Sequence, residues 1–567
     1  MALLDGNSTH QNSMISRREI LRTGLLAAGA ISQPASFAFS RAVDSASADS
    51  RIDVLLDEPL SAISRYIYGH FTEHLGGLIY DGVWVGENSR VPNIDGIRRR
   101  LVEELRKIKA PVIRYPGGCF ADSYNWQDGV GPADKRPRRT NFWSDAESTT
   151  APDNHKFESN RFGTNEFLHF AKLAGAAPYL AANLRSLTPE SFYRWVEYCN
   201  SPAGSTTLAE MRAASGARDP FNVRFWGIGN ESWGCGGNFT PQEYAAEFRR
   251  FATWVPHYGQ ELSLIASGPN VDDWDWTRGF FEELLRKGKD QLRSVYGLSL
   301  HHYAWNLSRG RTNDWEQGKG SALLFDLVDW YELLREGDRM ETLIDKHWQI
   351  MGEYDTPHRV KLIVDEWGAW YRPGSEGTPG DLLEQMPTLR DAVFSGMTLD
   401  LFNRHPEKVA MANCAQLINC LNSLYLAHED KFCVTPVGHV FAMYAAHQDG
   451  QGIRAVFSAP EVHYDRDGQP ASFWGLRGSA SLSVRELTLT VVNPHVSEPR
   501  ETRINLRGGR GSTVSATTLT SNDIHVHNTF DQPDALAPQT KSLQATGAAL
   551  TYTFPPASVT KLSFSLM

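Results

Sequence analysis

Two glutamates in this chain close short apolar runs 135 residues apart: Glu231 in G-I-G-N-E-S-W and Glu366 in L-I-V-D-E-W. Two carboxylates, one working as acid/base and one as nucleophile, are the minimum equipment for cleaving a glycosidic bond. An acid/base needs a raised pKa, which partial burial beside a second carboxylate supplies. Asn230, just before Glu231, is suited to hydrogen-bond a sugar hydroxyl next to the reacting carbon. Arg114, in V-I-R-Y-P-G-G-C-F, is placed to orient a catalytic carboxylate and keep it ionised. Gly117 and Gly118 behind it let backbone approach a ligand closely. Glu73, in F-T-E-H-L-G-G, is a third carboxylate for sugar hydroxyls, and Tyr303 is a hydrogen-bond donor for the nucleophile. His301 and His302 are adjacent and point opposite ways in a strand, so at most one faces the site. With no third ligand in view, no metal site and no cofactor are expected. The plainer readings are a turn cap for Glu231, a surface pair for Asp365 and Glu366, and an internal salt bridge for Arg114. The apolar strand before Glu366 argues against a surface pair.

These residues need a scaffold that gathers them on one rim. Short β-branched or aromatic runs recur eight times with helical stretches between them. They are expected at Ser64–Phe71, Pro111–Tyr115, Pro178–Leu184, Val223–Gly229, Leu262–Ser267, Gly297–His302, Lys361–Asp365 and Val409–Leu417. Helical periods are expected over Ile97–Lys109, Glu166–Ala174, Pro241–Val255, Thr277–Lys287 and Ala322–Arg335. Thr240-Pro241 is a helix start, with Thr as N-cap and Pro in the first turn. Eight βα units imply a (β/α)8 TIM barrel, an α/β fold whose active site lies at the C-terminal ends of its strands. Glu231 and Glu366 then end strands four and seven, on opposite sides of the ring. Three units of about 45 residues separate them, a normal size for such units.

After about residue 450 the pattern changes to alternating strands rich in Gly, Ser, Thr and Pro. Leu482–Val491 and Ala549–Phe554 are examples. They indicate a C-terminal antiparallel β-sandwich, and Arg51–Leu56 is a strand that adds to it. The expected organisation is a leader over 1–48, a sandwich strand over 49–62, the catalytic barrel over 63–449 and the sandwich over 450–567. The leader reads S-R-R-E-I-L-R at 16–22, then a short apolar stretch from Leu25 to Ile31, then small residues. That resembles a twin-arginine signal peptide and implies periplasmic or secreted bacterial protein, exported folded. Its apolar stretch is too short to cross a bilayer.

The chain has 567 residues, a net charge of -10 and no basic tail, which argues against a nucleic-acid partner. A neutral substrate fits better than a polyanion. Sixteen tryptophans offer flat faces for sugars, though plain packing accounts for most of them. Six cysteines in so long a chain do not make a disulfide framework, and the spacing of Cys414 and Cys420 does not suit a common zinc site.

At its candidate site the chain closely resembles the α-L-arabinofuranosidases of glycoside hydrolase family 51. The motifs F-T-E-H-L-G, R-Y-P-G-G, Y-N-W-x-D-G-V-G-P, P-R-R, F-G-x-N-E-F, G-N-E-x-W-G-C-G-G, D-E-W and A-Q-L-I-N occur in order from residue 71 onward. G-N-E alone is shared across many barrel glycosidases; the set is specific. The resemblance implies a retaining, exo-acting hydrolase that releases terminal arabinofuranosyl units from plant cell-wall arabinan, arabinoxylan or arabino-oligosaccharides. It implies Glu231 as acid/base and Glu366 as nucleophile. Sugar contacts are implied for Glu73, Arg114, Asn230, Tyr303 and Gln416, with Trp370 lining a subsite and Trp143 a further tryptophan of that kind. It implies a homo-oligomer, most often a hexamer. Cys119 stands where better-known members carry an Asn that contacts the sugar. With Cys235 four residues past the acid/base, a Cys119–Cys235 contact or disulfide is one expectation. The alternatives are another retaining barrel glycosidase, such as an endo-xylanase or endoglucanase, or a catalytically silent carbohydrate-binding protein.

Overall fold

Eight parallel strands close into a barrel in chain order, each hydrogen-bonded to its sequence neighbours and the first to the eighth. A computed structural model describes residues 50–147, 149, 151–375, 381–543 and 547–567. The expected leader at 1–48 lies outside the described residues. The barrel strands are Gly69–Phe71, Val112–Tyr115, Ala177–Ala182, Phe225–Ile228, Ser263–Ala266, Gly297–Ala304, Lys361–Ala369 and Val409–Cys414. All eight expected strands are present. The ring is sealed where Asn413 and Cys414 of the last strand pair with Gly69 and His70 of the first. Val112, Tyr179, Phe225, Ile265, Ile363 and Met411 fill the barrel interior as a packed cluster, so it is a core and not a pore.

The first strand is shorter than its apolar run because Arg65–Tyr68 forms a 3-10 turn, capped by the Ser64 hydroxyl. The seventh is longer: it continues through Glu366 to Ala369. Its pairing with the sixth strand slips between Ser299 and His301, and with the eighth between Val364 and Trp367. Such bulges break the strict in-out alternation and re-aim side chains. That is why two consecutive residues, Asp365 and Glu366, both point inward. Asp365 accepts hydrogen bonds from Tyr179 Oη (2.7 Å) and Asn413 Nδ2 (3.0 Å) inside the barrel.

Helices follow the strands. Pro241–Ala252 starts at Thr240, and Glu243 completes a capping box with it. The helix expected over Ala322–Arg335 instead runs Leu327–Tyr354. Gly337 sits in its middle, where a Cβ would lie 2.7 Å from the Phe394 ring. Glycine costs helix propensity there but allows close packing on the helix Leu389–Arg404, and packing outweighs propensity.

The C-terminal region forms a nine-stranded, mostly antiparallel sheet. Ser50–Ala62 joins it, antiparallel to Gln451–Ser458 and parallel to Arg500–Arg507, the one parallel pair. The sheet curls back on itself: Tyr552 near one edge reaches the Thr518 hydroxyl (3.1 Å) near the other. Ile52, Val54, Leu489, Ile504, Phe554 and Phe564 fill the enclosed core. The described residues form one compact unit. The helix Leu389–Arg404 is buried all round between barrel and sandwich. Its buried Asp400 accepts hydrogen bonds from Tyr444 Oη (2.8 Å) and, across the boundary, Ser479 Oγ (2.6 Å). Among the described residues no helix is long and apolar enough to cross a membrane.

Candidate active site

Every site residue expected from the sequence lies at the C-terminal mouth of the barrel. Glu366 projects from the seventh strand and is 5% exposed. Its Oε1 accepts from Arg114 Nη1 (2.8 Å) and its Oε2 from Tyr303 Oη (2.7 Å). Arg114 leaves the second strand fully buried, its guanidinium 4.7 Å from the Phe71 ring centre. A second arm of the same guanidinium donates to Asn230 Oδ1. Arg114 therefore ties the fourth and seventh strand ends together, and the salt bridge read as the plain alternative is part of the site itself.

Glu231 lies just past the fourth strand in a left-handed conformation, φ 40°. The loop that holds it is anchored by Asp122, whose carboxylate accepts the backbone N–H groups of Leu184 (2.7 Å), Arg185 (3.1 Å) and Asn230 (2.8 Å). Burial pushes Asp122 up to about 7 against those three donors.

His301 stands between the two glutamates and is the residue that sequence reasoning did not assign. Its Nδ1 lies 3.0 Å from Glu231 Oε1 and 3.6 Å from Glu366 Oε2. One ligand-type atom from each of Glu231, His301 and Glu366 falls within 4.8 Å of the others. His302 turns the other way and its Nε2 meets the Glu336 carbonyl (2.7 Å). The alternation rule had left one histidine for the site without saying which; the register of the sixth strand decides it.

The charges balance through these contacts. Burial opposes ionisation of Glu366, but His301 and Arg114 outweigh it and hold the carboxyl below its usual range. Burial also opposes a charged His301, yet Glu366 and Glu231 raise it above the ordinary imidazole value. Burial, with Glu366 repelling as well, pushes Glu73 up to about 7.

Glu73 closes one end of the site. Its Oε1 accepts from the backbone of Phe120 (3.0 Å) and from Trp143 Nε1 (3.1 Å), and its Oε2 from Gln416 Nε2 (3.0 Å). Gln416 Oε1 is buried with no protein partner. Gly117 and Gly118 are required by space. A Cβ on Gly117 would meet Glu73 Cγ at 2.5 Å, and one on Gly118 would meet Glu366 Oε1 at 3.0 Å.

Cys119 and Cys235 form a disulfide. Its sulfurs lie 3.9 and 3.7 Å from Glu231 Oε2. Disulfide sulfurs carry no proton to donate and are not thiolate ligands. Cys119 thus sits beside the site as the expected pairing had it, and the sugar-contact role of an Asn at this position becomes a packing role against Glu231. Cys199, Cys414, Cys420 and Cys433 are free and buried.

On the Glu231 side the floor opens into a cleft of about 670 Å³. Trp233, Trp305, Trp315 and Trp370 line it. Trp370 stands edge-on to Tyr303 at 5.0 Å and to Trp315 at 4.7 Å. Trp305, Trp315 and Trp233 were not singled out from the sequence, since many of the chain's tryptophans pack in the core.

A family model described as "Alpha-L-arabinofuranosidase 1 domain" matches residues 104–317, and one described as "Alpha-L-arabinofuranosidase C-terminal domain" matches 365–558. The chain is 35% identical over 496 residues to an "Intracellular exo-alpha-L-arabinofuranosidase" from Bacteroides ovatus, covering 87% of this chain and 91% of that protein. Among solved structures it is similar to a GH51 arabinofuranosidase from Xanthomonas axonopodis pv. citri, with a TM-score of 0.82 and 36% identity over 91% of this chain and 100% of that one. It is also similar to an α-L-arabinofuranosidase from Thermotoga maritima in an arabinose complex, with a TM-score of 0.74 and 29% identity over 91% of this chain and 100% of that one.

Proposed function

We propose a retaining double displacement for this chain, which belongs to the glycoside hydrolase family 51 α-L-arabinofuranosidases and is an exo-acting α-L-arabinofuranosidase. The observation that carries the mechanism is the closeness of the two glutamates. Carboxylate oxygens of Glu231 and Glu366 approach within 4.8 Å. Retaining enzymes hold their carboxyl groups roughly 5–5.5 Å apart, whereas inverting ones leave about 6.5–9.5 Å for a water.

In the first step a Glu366 oxygen attacks the anomeric carbon of a terminal arabinofuranosyl unit. The bond to the leaving oxygen breaks, and Glu231 gives that oxygen its proton. Glu231 Oε1 is engaged by His301, while among the described residues Oε2 has the disulfide sulfurs beside it, so Oε2 is the oxygen that serves the leaving group. In the second step water attacks the same carbon, Glu231 takes its proton, and the ester to Glu366 breaks. Two inversions give net retention. Arg114, Tyr303 and His301 keep the nucleophile ionised. Glu73, Gln416 and Asn230 receive the sugar hydroxyls.

The test is Glu366→Ala assayed on an aryl α-L-arabinofuranoside, with and without azide. Turnover falls on the order of 10⁵–10⁶-fold, as when other covalent nucleophiles are removed, and azide restores it with an inverted product. Full activity in that variant overturns the assignment.

The substrates on this reading are arabinofuranosyl side chains and ends of plant cell-wall arabinan, arabinoxylan or their oligosaccharides. The protein acts in the periplasm or outside the cell, and as a homo-oligomer, a hexamer by its family. The twin-arginine-type leader supports the address, and so does the Cys119–Cys235 bond, since disulfides persist in oxidising compartments. Cell fractionation checks the address and sedimentation the assembly.

A further inference from the structure

The cleft beside Glu231 has a direction. Glu231, His301, Tyr303 and Trp370 line it, while Glu366, Glu73, Arg114 and Gln416 do not. It therefore extends away from the seat of the arabinosyl unit, on the side of the group that protonates the leaving oxygen. Its volume falls within the roughly 300–1,000 Å³ of clefts that take a drug-sized ligand, more than a single pentose ring needs.

The far wall of this cleft is a built feature. Trp315 begins a single helical turn, Trp315–Gly318, whose start is fixed by the Asp314 carboxylate accepting the N–H groups of Glu316 (3.0 Å) and Gln317 (2.9 Å). Trp315 meets Trp305 at 4.8 Å and Trp370 at 4.7 Å, the latter nearly perpendicular at 83°. Lys319 locks that corner from behind. Its Nζ lies 4.1 Å from the Trp315 ring centre and 4.7 Å from that of Trp370, and its side chain is 5% exposed. Glu316, 3.7 Å away, is its ion partner. A buried ammonium facing two indoles is held by their electron-rich faces. Trp315 itself is 36% exposed and lines the cleft, so part of its ring is open to a ligand there.

We propose that Lys319 is a specificity-determining residue. It fixes Trp315 against Trp370 as a two-indole corner that grips the leaving-group saccharide beyond its first sugar. The preferred substrate class is then a terminal arabinofuranosyl unit carried on at least two further sugars. This inference rests on the arabinofuranosidase reading above.

The experiment compares kcat and KM on 4-nitrophenyl α-L-arabinofuranoside and on α-1,5-arabinotriose for wild type, Lys319→Met, Lys319→Arg and Trp315→Ala. Lys319→Met is expected to lower kcat/KM on the triose at least fivefold more than on the aryl glycoside, with the difference in KM. Trp315→Ala, a change at a half-exposed position that does not depend on the buried lysine, gives the same selective loss, and Lys319→Arg restores most of it. An equal fall on both substrates, or no selective change in either Lys319→Met or Trp315→Ala, overturns the proposal. A wild-type enzyme that releases no arabinose from either substrate overturns the underlying reading instead, and this one with it.

Discussion

The two halves of the catalytic mouth are built on opposite principles. On the Glu366 side, Arg114, Glu366, Glu73 and Gln416 are buried, Arg114 hydrogen-bonded to Glu366 at 2.8 Å and Gln416 to Glu73 at 3.0 Å. On the Glu231 side, four tryptophans present partly exposed faces around an open cleft. Charged hydrogen bonds are short and directional, so the first half is fixed before substrate arrives and reads one sugar by its hydroxyls. Aromatic faces are tolerant of orientation, so the second half accepts a range of saccharides.

Removing the acid/base where the two halves meet is expected to cost most among these changes. Glu231→Ala lowers kcat on an arabino-oligosaccharide by about 10²–10⁴-fold, the usual worth of general acid catalysis. The loss is smaller on a nitrophenyl glycoside, whose leaving group needs little protonation; steady-state assays on both substrates check this. Arg114→Met removes one partner of a buried pair and leaves Glu366 with His301 as its charged neighbour, which costs about 3–5 kcal/mol of folding stability in a urea titration. The Cys119–Cys235 bond closes a loop with a sequence separation of 116. Replacing both cysteines with serine costs about 2–4 kcal/mol in the same measurement. No change would mean that the bond does not constrain the unfolded chain.

The pH profile sharpens the comparison further. Glu366 must be ionised to attack, and His301 and Arg114 hold its carboxyl below the usual range. The acid limb of kcat/KM therefore lies below that range. His301→Gln removes a positive charge that lowers the Glu366 pKa, so the limb moves to higher pH. Tyr303→Phe removes a lesser stabilising contact and moves it the same way by less. A limb that stays in place in His301→Gln would remove His301 from the charge balance. On the aromatic half, Trp315→Ala acts on substrate length: kcat/KM falls further on the triose than on the aryl glycoside in steady-state assays of both.

Much of this was legible because the chemistry of the site is concentrated in local motifs. Each apolar run that ends in Glu, Arg or Asn-Glu marks both a strand and its functional end. Glu231, Glu366, Arg114 and Glu73 could be named from that alone. The expected helix Ala322–Arg335 falls short of Leu327–Tyr354, which runs through Gly337, a weak helix former whose place only the neighbouring Phe394 explains. Trp315 and Lys319 carried no signal, since an indole that binds sugar and one that packs a core look the same in a chain with 16 of them.

The amino-acid sequence by itself determined the fold class, the two glutamates that end the fourth and seventh strands and the sandwich strand donated from the N-terminal side. Local periodicity and strand-end residues encode those directly. Tertiary structure alone decided which histidine stands between the glutamates, how a bulge turns Asp365 and Glu366 both inward, and which tryptophans face the cleft. Each of those depends on register between strands distant in the chain. A shift of one residue sends a side chain to the other face, and no local pattern records it.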